Sequence, residues 1–125
     1  MPSPRPYPFA QYEDSDVIVA ARMRTSDGAY ILVANTSTIA YKVYNAAGTL
    51  TDSGSLTVAS VVFDTLGTDS GWEQDSTGYN FKADLGVTGF AVPGNHRVEI
   101  TFTFSSPSEV KTLVFDGVIL SLLGS

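Results

Sequence analysis

The stretch HRVEITFTF at residues 96–104 decides the fold. Val98, Ile100, Phe102 and Phe104 alternate there with Arg97, Glu99, Thr101 and Thr103. Side chains on a strand repeat every two residues, so the four apolar groups share one face and the polar four share the other. That is the pattern of a central strand with one wet face.

Working outward, the same alternation recurs in shorter pieces. On the C-terminal side, SSPS at residues 105–108 turns the chain, and residues 109–123 supply a last strand that Asp116-Gly117 is expected to interrupt. On the N-terminal side, residues 86–95 carry Pro93-Gly94 and read as a connection with a short helical turn around residues 87–91. Before it, Tyr79, Phe81 and Ala83 alternate with Asn80, Lys82 and Asp84, a second two-faced strand. Residues 66–77 are polar, acidic and glycine-containing, a surface loop holding the one tryptophan, Trp72. Residues 60–65 form a short apolar run, and residues 50–58 a strand with a bulge expected at Ser53-Gly54-Ser55. Asn45-Ala46-Ala47-Gly48 suits a tight turn closed by a left-handed glycine. Ahead of it Ile39, Tyr41 and Val43 point one way. Residues 29–34 are another apolar run, and Asp27-Gly28 turns the chain after a first strand in residues 16–24.

About seven short strands, with turn chemistry roughly every 8 to 15 residues and no crossover helix, imply an all-β, antiparallel, immunoglobulin-like β-sandwich over residues 16–125. The chain has 125 residues, enough for one core, and no cysteine, so packing alone must hold it. This suits a reducing cytoplasm. Thirteen acidic against seven basic side chains give a net charge of −6, which repels phosphate backbones and anionic lipid, so neither nucleic acid nor membrane is an expected partner. No apolar run nears the roughly 20 residues of a membrane span, and prolines stand where a signal peptide would be apolar.

Residues 1–15, MPSPRPYPFAQYEDS, are an extended arm. Pro2, Pro4, Pro6 and Pro8 lock alternate φ angles and remove alternate amide donors. Tyr7, Phe9 and Tyr12 add aromatic groups that a solvated tail does not need. Two readings stand: a frayed tail, or an arm that docks on a neighbouring subunit.

Catalytic constellations are sparse. His96 is the one histidine, placed at a strand rim, and no serine lies in a G-x-S-x-G elbow. One imidazole without cysteine makes no zinc shell. Asp64, Asp69, Glu73 and Asp75 lie in or beside the loop of residues 64–75, which could ligate calcium or simply be solvated. Trp72 with Tyr79 could offer a flat platform to a sugar or a partner protein, or fold over the sandwich edge as core. Asn35-Thr36-Ser37 matters only on a secretory route. No cofactor, no metal and no enzymatic activity are expected.

Five segments carry a resemblance: AYKVYNAAGTL at residues 40–50, SGSL at 53–56, DSTGYNF at 75–81, VPGNHRVEI at 92–100 and TLVFDGV at 112–118. With them the chain resembles, over about residues 16–123, the small immunoglobulin-like domains of tailed-bacteriophage virion proteins: capsid decoration proteins, head fibres and upper baseplate parts. The resemblance implies a virion location after assembly in the host cytoplasm, and a decoration or cement protein on the outer head surface. Its partners would be the major capsid protein or other virion subunits, and its own copies as a homo-oligomer, a trimer being favoured. Pro4, Pro6, Tyr7, Pro8, Phe9 and Tyr12 are the expected arm anchors. Removing residues 1–14 should then leave the sandwich folded and abolish attachment. The alternatives are a carbohydrate- or receptor-binding module using Trp72 and Tyr79, or a neck, tail or baseplate component.

Overall fold

The computed structural model describes residues 7–68, 77–105 and 108–122, with the backbone alone for Tyr7. The chain is almost entirely β. In order come β1 (Tyr7–Tyr12), β2 (Ile18–Ala21), a 3₁₀ turn (Val33–Asn35), β3 (Thr36–Asn45), β4 (Leu50–Leu56), a one-turn helix α1 (Val58–Val61), β5 (Val62–Gly67), β6 (Tyr79–Asp84), a 3₁₀ turn (Thr88–Phe90), β7 (Gly94–Ser105) and β8 (Ser108–Leu120). Five strands make one sheet in the order β1-β8-β7-β3-β4, and three make the other in the order β2-β6-β5. All neighbours are antiparallel except β1, which runs parallel to β8.

The expected central strand is β7, paired on one side with β8 and on the other with β3. Its apolar row Val98, Ile100, Phe102 and Phe104 is buried, as are Ile39 and Val43 of β3 opposite it. The smaller sheet supplies the other half of the core through Val19, Ala21, Phe81 and Ala83. Phe81 meets Phe102 edge to face with ring centroids 5.0 Å apart, and Phe102 stacks on Phe104. Such pairs contribute about 0.5–1.5 kcal/mol beyond the area they bury. Asn80, on the polar side of its strand, is also buried. Its amide replaces ladder partners beyond the end of β2: Oδ1 accepts from the Met23 N–H at 2.7 Å, and Nδ2 donates to the Met23 carbonyl at 2.9 Å.

Several expectations are revised by long-range pairing. Residues 29–34 do not make a strand; Tyr30 forms a lone bridge with Arg24, and the run continues into the first 3₁₀ turn. The bulge of β4 is not at Ser53-Gly54-Ser55: the register against β3 shifts between Val43 and Tyr44, where Asp52 and then Leu50 are the partners. Gly54 instead lies under the Tyr41 ring, where a Cβ would approach Cε1 to 3.0 Å. The last strand is not interrupted at Asp116-Gly117, because β8 is continuous over its 13 residues. Gly117 is needed there for another reason. A side chain on it would collide with the backbone and ring of Phe9.

That contact revises the arm most. Part of the extended arm, Tyr7–Tyr12, is laid down as β1 on the chain's own β8, giving eight named strands among the described residues. Pro8 is tolerated because an edge strand leaves one lateral side without partners. The pairing continues past the strand: the Glu13 N–H donates to the Leu120 carbonyl, and the Leu122 N–H to Glu13 Oε1, both at 2.9 Å. Truncation of residues 1–14 therefore removes an integral strand. We expect it to lower the denaturant midpoint of the remaining domain. Phe102→Ala should cost about 3–5 kcal/mol in chemical denaturation with an unchanged slope, through the cavity left against Phe81.

Candidate functional site

The outer face of the larger sheet is set by the register. Row by row, Pro8, Asp116, Arg97 and Tyr44 align across β1, β8, β7 and β3, with Ala10, Val118 and Asn95 in the next row. Beside them a cleft of about 750 Å³ is lined by Tyr44, Asn45, Asn95, Arg97, Glu99 and Asp116 among others. Arg97 and Asp116 form a bidentate pair in its wall, Nε to Oδ1 at 2.8 Å and Nη2 to Oδ2 at 2.9 Å. That bond, with the charge of Asp116, pushes the Arg97 pKa further up and ties down both charged groups.

β8 departs from the ordinary half-wet strand. Its inward side chains Phe115 and Ile119 are buried in the core. The side chains of opposite parity are apolar too: Val110, Val114, Val118 and Leu120, interrupted by Thr112 and Asp116. Val110 is 63% exposed, and Tyr12, the register partner of Leu120 on β1, is 52% exposed. By contrast the outward row of β7 is Arg97, Glu99, Thr101 and Thr103. The apolar outer surface is thus a stripe along β8 and β1. Sequence reasoning passed over it, since Asp116-Gly117 was read as a break; the excess of valine at alternate positions of residues 110–118 was the available signal.

The expected site residues separate. Pro4, Pro6 and Trp72 lie outside the described residues, as do Asp69, Glu73 and Asp75. Of Tyr7 only the backbone, in β1, is described. Pro8 and Tyr12 are on the outer side of that strand, while Phe9 turns inward, edge to face with Phe90 at 5.9 Å, so it is used within its own subunit. Tyr79 is 6% exposed and packs edge to face on Phe63 at 5.8 Å, so it offers no platform to a ligand. Asp64 accepts from the Val33 N–H at 2.9 Å, and no metal-holding cluster occurs among the described residues.

His96 is not a rim residue. It is 5% exposed, lies edge to face against Phe90, and donates from Nε2 to the Val92 carbonyl at 2.8 Å. Its other ring nitrogen, Nδ1, has no partner among the described residues. Two exposed carboxylates are shifted in opposite senses. Asp16 shares a hydrogen bond with Asp84 and feels its charge, which raises its pKa. Asp27 accepts from the Thr25 hydroxyl and the Ala29 N–H, which lowers its pKa.

No protein-family model matches the chain, and no curated protein matches it. Among solved structures its backbone is similar to part of a family 123 glycoside hydrolase from Clostridium perfringens that hydrolyses glycolipid glycans, at 12% identity and a TM-score of 0.45. The match covers 95% of this chain, which spans 24% of the length of that enzyme. Beside that likeness the expectation of no enzymatic activity is withdrawn. At so low a TM-score it transfers no substrate, residue role or activity to this chain.

The two carboxylate shifts give opposite pH dependences. The raised Asp16 pKa means the folded state holds that proton more tightly, so stability is lost as pH rises through the carboxylate range. Asp16→Asn should melt above the parent at neutral pH, with the gap closing on acidification. The lowered Asp27 pKa works the other way: its stabilisation is present above the ordinary carboxylate range and disappears as pH falls. Asp27→Ala should melt below the parent at neutral pH and converge with it in acid. Thermal melts of the three proteins across pH check both signs.

Proposed function

We propose that the chain is an immunoglobulin-like module of a tailed-phage virion, acting as a capsid decoration or cement subunit on the outer head surface. The strand order supports the fold part of this reading. Taken in chain order as A′, B, C, C′, D, E, F and G, the strands divide into A′-G-F-C-C′ and B-E-D. That division has the C, F and G strands with C′ on one sheet and B, E and D on the other, as in variable-type immunoglobulin domains.

The observation that carries the attachment part is the outer stripe of β8 and β1. An antiparallel sheet with one solvated face normally alternates polar and apolar residues, yet the outer row of β8 is apolar at four of its six positions from Val110 to Leu120. Val110, Val114, Val118 and Leu120, flanked by Pro8 and Tyr12, form a surface suited to burial on another virion subunit. Pro8 and Tyr12 keep the anchoring role read from the sequence, while Phe9 does not. Repetition over a particle would let a modest contact per copy hold by avidity.

Mass spectrometry of density-banded particles from the source phage should find the chain at a fixed ratio to the major capsid protein, and image reconstruction should place it on the head. Its absence from the particles would overturn the reading. Tyr12→Ser with Val118→Lys should cut co-sedimentation with particles lacking the protein at least tenfold, while the melting temperature stays within a few degrees of the parent.

A further inference from the structure

β1 is joined to the rest of the chain in a separable way. Among the described residues its strand pairing is with β8 alone, in parallel register from Tyr7↔Phe115 to Tyr12↔Leu120. Among its described side chains, Phe9 makes a seated contact with the core. Phe9 lies over Gly117, where no side chain could be accommodated, and reaches Phe90, which in turn meets His96. The side chains of Pro8, Ala10 and Tyr12 face the other way. Lifting β1 would leave β7 and β8 paired along their length, with an open strand edge and a notch at Gly117 shaped for one aromatic ring.

The link from β1 to β2 is short and strained. It runs over residues 13–17 and carries the chain from the larger sheet to the smaller one. Within it Asp14 has φ 63°, the one non-glycine residue with positive φ among the described residues. Aspartate tolerates that region better than most residues, but at a cost that an extended link would not carry. A short hinge under strain favours exchange of the element it tethers, because the exchanged form keeps every contact and relaxes the hinge.

We infer that β1 is an exchange element: residues Tyr7–Tyr12 of one copy pair with β8 of a second copy, with Phe9 seated at the second copy's Gly117, and the second copy reciprocates. The occupant is fixed by what fills the groove within a single chain, where strand register, aromatic knob and glycine notch already match. An edge of β8 left empty would be an open template for pairing, and another copy's β1 is the segment whose register and aromatic ring match it. The inference does not rest on the virion reading. A chain absent from particles would still exchange β1, and a cement protein could bind a head with β1 closed.

The chain has no cysteine, so engineered thiols report cleanly. Ala10 and Val118 are register partners across β1 and β8. Ala10→Cys is made in one chain and Val118→Cys in a second chain of different mass, and the two are refolded together at high concentration and oxidised. Exchange predicts a disulfide joining one chain of each kind, several-fold above a control pairing Ala10→Cys with Ser53→Cys on the opposite edge strand. Light scattering should show a dimer that dissociates on dilution only after unfolding or slow opening. Asp14→Gly, which relieves the positive-φ strain, should lower the dimer fraction several-fold and leave the monomer folded. Mixed crosslinking no higher than the control, or a chain that stays monomeric at every concentration, would overturn the inference.

Discussion

The inner row of β7 is the constraint on which the rest depends. Val98, Ile100, Phe102 and Phe104 are buried on a strand whose two lateral sides are both taken, by β8 and by β3. The ladders satisfy the backbone, so the strand can sit deep in the molecule without orphaned polar groups. Its aromatic side chains then need cover, and the smaller sheet provides it, Phe81 meeting Phe102 edge to face between the two sheets. β2 and β5 flank β6 on that sheet and complete the opposite wall.

From that centre the character of the surface changes toward one edge. β7 shows water a polar row, β8 a largely apolar one, and β1 then covers the lateral edge of β8 while adding Pro8 and Tyr12 to the same face. A strand apolar on both sides is ordinarily buried on both sides. This links the packing to the proposed attachment surface, and places the exchange element and the docking stripe side by side. Gly117 is the point where the two meet, since its missing side chain lets Phe9 close the edge.

Much of the fold was legible residue by residue. The alternation of Val98 to Phe104 and of Ile39 to Val43 predicted the inward faces correctly, and Asn45-Ala46-Ala47-Gly48 formed the expected turn, with Gly48 at φ 80°. The short helical turn near residues 87–91 appeared as Thr88–Phe90. The candidate site was less legible. Tyr79, open to a platform beside Trp72 or to the apolar face of its own strand, lies buried against Phe63; His96, expected at a strand rim, lies buried against Phe90. In each case the residue type permitted both readings, and the decisive neighbour came from a distant part of the chain or from a connection whose path is not periodic.

The sequence by itself determined the β class, the inward faces of β7 and β3 and the main turns, because a two-residue period and the φ preferences of glycine and proline are local properties. Only the tertiary structure decided what lies beside what. The proline-bearing segment could equally have been a tail or an arm from its own residues; that it is a strand depends on a free edge of β8 and a glycine near the other end of the chain. Lateral hydrogen bonding and ring packing are made between residues remote in sequence, and periodicity carries no information about which partner will be there.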